Sequence, residues 1–117
     1  MEPPAGGLAD ELLEQLTRLE GLLARMAESR WALAMVRCRE EVERRRDDSL
    51  PDAARLILTM FGGMGSLNDV ILYRDERFVR AENDEFQRQK ERLWELARAA
   101  VNGAAVLPQV SEQPGRR

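Results

Sequence analysis

The residues best suited to chemistry lie in one run, FGGMGSLNDVILY, from Phe61 to Tyr73. Gly62, Gly63 and Gly65 can adopt positive φ or let another backbone come close. Successive N–H groups converging there would form a nest for a carboxylate or other anion. Ser66, Asn68 and Asp69 follow at once and would bring a hydroxyl, an amide and a carboxylate to its rim. These six residues, with Tyr73 at the end of the run, are the candidate partner- or ligand-binding set.

The same spacing has a structural reading. Ser66 and Asp69 stand three apart, as in a capping box, with Asp in place of the usual Glu or Gln. The Ser66 hydroxyl would then take the Asp69 N–H, and the carboxylate would reach back to the Ser66 N–H. The glycines would reverse the chain and let two helices meet closely. GGMGS lacks the lysine and the spacing of a P-loop, and it is not GxGxxG. Asp69 beside a helix N-terminus reads as an anchor rather than a general base.

No other constellation competes with this corner. The chain has no histidine, which removes His-dependent triads and His-containing zinc motifs together. Cys38 is the single cysteine, so no intramolecular disulfide forms, and a lone thiol on an apolar face reads as core. Glu40-Glu41 and Asp47-Asp48 show no ligand spacing for a divalent cation and read as solvated surface. No catalytic residue, metal ligand or cofactor is assigned. Trp31 and Trp94 lie on or beside apolar faces, where a large ring fills a small core; left partly exposed, either would be an interface anchor.

The elements that position the corner follow from periodicity. Leu8, Leu12, Leu16, Leu19, Leu23 and Met26 recur at three- and four-residue steps, the stripe of an amphipathic helix. Glu11, Glu14 and Arg18 take its wet side. A pause at Glu28-Ser29-Arg30, with Ser29 as cap, starts a second helix carrying Trp31, Met35, Cys38 and Val42. The alternative is one unbroken helix over residues 8–46. SLPDAARLILTM restarts the chain with Ser49 as cap, Asp52 three residues on and Pro51 in the first turn. Leu56, Ile57 and Met60 then mark a short apolar helix, preferred over a buried strand.

Beyond the corner, Leu67, Val70 and Ile71 suggest one or two further helical turns. YRDERFVRAEN reads as a surface connection with Tyr73, Phe78 or Val79 turned inward. Asn83 is the expected cap of the last helix, whose buried side carries Phe86, Leu93, Ala97 and Val101, flanked by Trp94 and Leu96. Gly103 and Pro108 end regular structure. The reading is therefore all-α: a compact four- or five-helix domain over residues 8–101, with a glycine-rich corner and flexible tails at 1–7 and 102–117.

Net charge is −3, from 18 basic and 21 acidic residues with the signs interspersed. Arg44-Arg45-Arg46 is bracketed by acids, so no concentrated positive field forms and nucleic-acid binding is not expected. No apolar segment reaches membrane-spanning length, and the N-terminus lacks the pattern of a secretory signal, so the expected residence is cytoplasmic.

GGMGSLND, followed by ENDEF and LWELA, resembles a group of small bacterial proteins classed as a domain of unknown function. The match is most specific from Gly62 to Asp69; Trp31, Glu82-Asn83, Phe86 and residues 93–97 support it. The resemblance implies an all-helical bacterial protein and transfers no catalytic assignment. The apolar Met64 and Leu67 suggest a corner that packs inward. Small acidic bacterial proteins with rigid helical bodies sometimes neutralise a toxin, an analogy of fold rather than of site. The reading is a non-enzymatic protein-binding module, an immunity-type inhibitor or small regulatory partner. The alternatives are a self-associating structural protein, motivated by the leucine stripe, and an enzyme using Ser66, Asn68 or Asp69.

Overall fold

A computed structural model describes residues 7–46 and 48–102. Four helices make up most of them: α1 (Gly7–Arg25), α2 (Ser29–Arg45), α3 (Leu50–Leu58) and α4 (Arg80–Val101). Between α3 and α4 come two single 3-10 turns, Thr59–Phe61 and Leu67–Asp69, and a two-stranded ribbon, β1 (Tyr73–Arg74) and β2 (Arg77–Phe78). Gly6, Pro3 and Pro4 at one end, and Gly103 and Pro108 at the other, lie outside the described residues, as does Asp47.

The leucine stripe of α1 is the centre of the core. Leu12, Leu16, Leu19, Leu22 and Leu23 are fully buried. Each contributes roughly 1.5–3 kcal/mol of transfer free energy relative to exposure. α1 packs on α2 and α4, and α3 packs on the same two helices. The stripe is thus consumed within one chain, which removes the observation that motivated self-association. Met35, Cys38 and Val42 of α2 face the same core, with Trp31 partly buried beside them.

α1 and α2 are separate helices, and the break is made by backbone geometry. The Ala27 and Glu28 N–H groups donate to the carbonyls of Ala24 and Leu23, at 3.1 and 2.8 Å. That is a Schellman ending, with Ala27 at φ 62° in the position glycine usually takes. Ser29 is the first residue of α2, and no side chain caps that helix.

Several local expectations are corrected. Ser49 stands at the N-cap of α3, but its hydroxyl accepts from Arg45 Nη1 at 3.2 Å instead of from a backbone amide. Asp52 pairs with Arg55 at 3.0 Å, so no capping box forms. Pro51 does sit in the first turn, and Ile57 is buried, whereas Leu56 is exposed. Helical structure past the corner amounts to one 3-10 turn, after which the backbone runs extended and leaves Ile71 half exposed. α4 begins at Arg80, three residues before the expected cap, so Asn83 lies inside the helix and its side chain is engaged elsewhere. Its carboxamide oxygen accepts the Leu72 N–H, while its nitrogen donates to the Leu72 and Val79 carbonyls.

Among the described residues the ribbon is the one β feature. Tyr73 pairs with Phe78 and Arg74 with Arg77. Asp75 and Glu76 turn the chain with φ of 53° and 67°. Two positive φ values in a two-residue loop define the I′ class, whose twist suits a tight hairpin.

Candidate functional site

The glycine corner is stabilised by its own side chains. Gly63 and Gly65 have φ of 79° and 76°, whereas Gly62 is extended at −110°. Two of the three glycines thus occupy the left-handed region that side chains avoid. A Cβ added at Gly62, Gly63 or Gly65 would meet no atom within 4 Å. Close helix approach is therefore not their role, contrary to expectation; the two positive φ values are.

The polar residues bond locally, one position away from the expected pattern. The Ser66 hydroxyl accepts the Asn68 N–H at 3.2 Å, not that of Asp69. The Asp69 carboxylate accepts the Gly65 N–H at 2.6 Å, not that of Ser66. The Asp69 N–H goes instead to the Ser66 carbonyl at 3.0 Å. Asn68 Nδ2 donates to the Phe61 carbonyl at 2.9 Å, tying both ends of the corner together. The anion at the Gly65 amide is thus the chain's own Asp69. Leu67 is fully buried beneath the turn, but Met64 at its tip is 97% exposed, the reverse of an inward-packed position.

Tyr73, the last candidate, sits apart from this hydrogen-bonded corner on β1. It is 52% exposed and its cross-strand partner Phe78 is 58% exposed. Both were expected to be candidates for the interior; of the three, Val79 alone packs on the core.

Beside the corner lies a cleft of ≈ 330 Å³ whose other wall is α4. Phe61 and Trp94 supply its aromatic walls, Asn68 and Gln87 its amides, Glu91 and Glu95 its carboxylates, and Lys90 its only cation. Trp94 is 41% exposed, with the Arg98 guanidinium 4.8 Å from its ring centroid. Lys90 is 5% exposed, and among the described residues it makes no hydrogen bond or ion pair. Its ammonium lies 4.4 Å from the Phe86 ring centroid, one helical turn back. Burial lowers the Lys90 pKa, against opposing pulls from the Glu91 and Asp69 carboxylates.

Sequence reasoning passed over Lys90, although two signals mark it. It fills the slot between Phe86 and Leu93 in the buried stripe of α4, and it is the sole lysine among 18 basic residues. The other candidates are placed as ordinary structure. Cys38 is buried, with its thiol pushed up to about 11 chiefly by burial and secondarily by the Glu41 charge. The Glu41 carboxylate is taken by Arg44 and Arg45. Among the described residues no group of three or more His, Cys, Asp or Glu is placed to hold a metal ion, and no helix is long and apolar enough to cross a membrane.

No curated protein and no solved structure matches the chain. Residues 24–80, from the end of α1 through α2, α3, the corner and the ribbon to the first residue of α4, match a family model described as Domain of unknown function (DUF6966), so that a little under half of the chain is similar to a family of unknown function.

Proposed function

We propose that the protein is a non-enzymatic protein-binding module, an immunity-type inhibitor or small regulatory partner, that engages its partner through the ribbon and the adjoining corner. The observation that carries this reading is the Tyr73–Phe78 pair. Two aromatic side chains lie opposite one another on a two-stranded ribbon, each more than half exposed. Clustered exposed apolar side chains mark interaction surfaces, and tyrosine is enriched among the residues that dominate protein interfaces. Met64 and Ile71 are exposed in the same stretch of chain, so among the described residues four of the seven exposed large hydrophobics fall within residues 64–78.

The ribbon is also anchored well enough to present them. Asn83 fixes Leu72 immediately before β1, and Arg74 bonds Glu82 at 3.3 Å. A preorganised surface loses less conformational entropy on association. The polar side chains of the corner are engaged in holding it, which favours a surface that is recognised over one that performs catalysis.

The test is affinity capture from the host with the wild-type chain and with Tyr73→Ala/Phe78→Ala, compared by mass spectrometry. The expected result is a stoichiometric partner retained by the first and lost by the second, with unchanged helical circular dichroism. A chain that recovers no stoichiometric partner across growth conditions, or a partner indifferent to both substitutions, overturns the reading. Sedimentation over a wide concentration range distinguishes a foreign partner from a second copy.

A further inference from the structure

The chain's only lysine occupies a core position and, among the described residues, forms no ion pair. Phe86, Lys90, Leu93 and Ala97 follow one another at four-, three- and four-residue steps along α4, and all are buried. An apolar side chain would fill that slot without desolvating a charge. The Phe86 ring face offsets part of the penalty by cation–π attraction. The carboxylates of Asp69 and Glu91 act on the ammonium only from beyond ion-pair distance. Lys90 also lines the cleft between α4 and the corner, where Phe61 and Trp94 stand as aromatic walls.

We propose that this cleft binds a small monocarboxylate with a flat apolar body, the carboxylate on Lys90 and the body between Phe61 and Trp94. Each element of that class has a counterpart in the site. One buried cation calls for one negative charge. Glu91 and Glu95 on the same walls, with Asp69 nearby, repel a phosphate dianion or any polyanion. They accept hydrogen bonds readily, so a hydroxyl or amino substituent on the ligand suits them. The ≈ 330 Å³ volume lies at the small end of ligand pockets, the size of a single substituted ring. Asn68 both lines the cleft and holds the Phe61 carbonyl, which fixes one aromatic wall before any ligand arrives. The site is independent of the Tyr73–Phe78 surface and stands whether or not that surface has a partner.

A single lysine makes the test direct. In the full chain labelled with ¹³C,¹⁵N-lysine, the one side-chain Cε–Hε correlation belongs to Lys90 without assignment. Benzoate, 4-hydroxybenzoate and phenylacetate are titrated at constant ionic strength, with acetate and inorganic phosphate as comparators. Tryptophan emission is followed in parallel in Trp31→Phe, where Trp94 is the only indole. The expected result is a saturable shift of the Lys90 signal with at least one arylcarboxylate and a matching change in Trp94 emission. Acetate and phosphate should bind at least tenfold more weakly. Lys90→Met, which keeps the apolar stem, should weaken binding at least tenfold, and so should Trp94→Ala at the half-exposed wall. If Lys90→Met fails to fold, Trp94→Ala and the lysine shift decide the matter. Absence of saturation with all three arylcarboxylates, equal binding of phosphate, or undiminished affinity in a folded variant overturns the proposal.

Discussion

Asn83 holds Leu72 by both of its backbone polar groups. The carboxamide oxygen accepts the Leu72 N–H at 2.9 Å, and the carboxamide nitrogen donates to the Leu72 carbonyl at 2.9 Å. One side chain on α4 thus does what a neighbouring strand would do, at the residue where the extended segment enters the ribbon. The same nitrogen also donates to the Val79 carbonyl at 2.8 Å, so both sides of the ribbon are tied to the first turn of α4. Leu72 is fully buried, which makes an unpaired amide there costly.

Asn83→Ala is therefore expected to destabilise the domain by about 2–3 kcal/mol, the sum of roughly 1 kcal/mol for each of three hydrogen bonds. Urea melts measure it. Amide exchange should show the Leu72 N–H losing protection first. A midpoint shift with Leu72 protection intact would mean that Asn83 acts through α4 rather than through the ribbon.

The corner glycines are expected to divide by backbone conformation alone. Space is open at all three, so the cost of a side chain reflects φ and not crowding. Gly63→Val and Gly65→Val, at φ of 79° and 76°, should each cost about 1–3 kcal/mol. Gly62→Ala, in extended backbone, should be neutral within about 0.5 kcal/mol. Ser66→Ala should cost about 1 kcal/mol through the lost bond to the Asn68 amide. Equilibrium urea unfolding of the four variants checks the order.

The helices were legible in the sequence because apolar periodicity reports burial directly. The α1 stripe, the α2 face through Met35, Cys38 and Val42, and the α4 face through Phe86, Leu93 and Ala97 all lie where their spacing puts them. What sequence patterns do not encode is which of several donors a small polar side chain will take. Ser66 and Asp69 both engage local amides as expected, yet each is displaced by one residue, in a corner whose backbone turns through the positive φ of Gly63 and Gly65. Asn83 reads as a cap in sequence, but the extended segment at Leu72 offers it two bonds where a cap offers one. Lys90 was hidden for a different reason: a charge is normally assigned to the surface, and only the helical register places it inside.

Among the described residues three non-glycine residues have positive φ; aspartate tolerates that region at Asp75, whereas Ala27 and Glu76 stand where glycine is the relaxed choice. Ala27 ends α1 at φ 62°, and Glu76 closes the ribbon turn at φ 67°. Left-handed backbone costs an L-residue roughly 1–2 kcal/mol, part of which glycine returns through the greater freedom of its unfolded chain. Ala27→Gly and Glu76→Gly are each expected to stabilise by about 0.5–1 kcal/mol. Thermal melts of the single and double variants check this. The effects should add, since the two sites share no hydrogen-bond partner.

The alkaline limb of the stability curve should carry opposite contributions from Cys38 and Lys90. Burial, aided by the Glu41 charge, raises the Cys38 thiol from 9.0 to about 11. The folded chain therefore favours the neutral thiol. That contribution is fully present below pH 9.0 and is lost as pH rises from 9.0 through about 11, an effect of up to roughly 3 kcal/mol at 1.36 kcal/mol per pH unit. Lys90 runs the other way. Burial lowers its pKa, so the folded chain penalises the ammonium at neutral pH, and the penalty is relieved as pH rises through the folded value towards the ordinary lysine value. Lys90→Met should be more stable than wild type near pH 7, by a margin that shrinks as pH rises towards the ordinary lysine value. Cys38→Ala should be less stable near pH 7 through its lost packing, and its deficit should narrow over the thiol's titration window. Urea melts from pH 7 to 10.5 separate the two. Thiol-exchange kinetics with a disulfide reagent give an independent reading: Cys38 should be nearly inert in the folded chain at pH 8 and react rapidly once urea unfolds it, because attack needs the exposed thiolate.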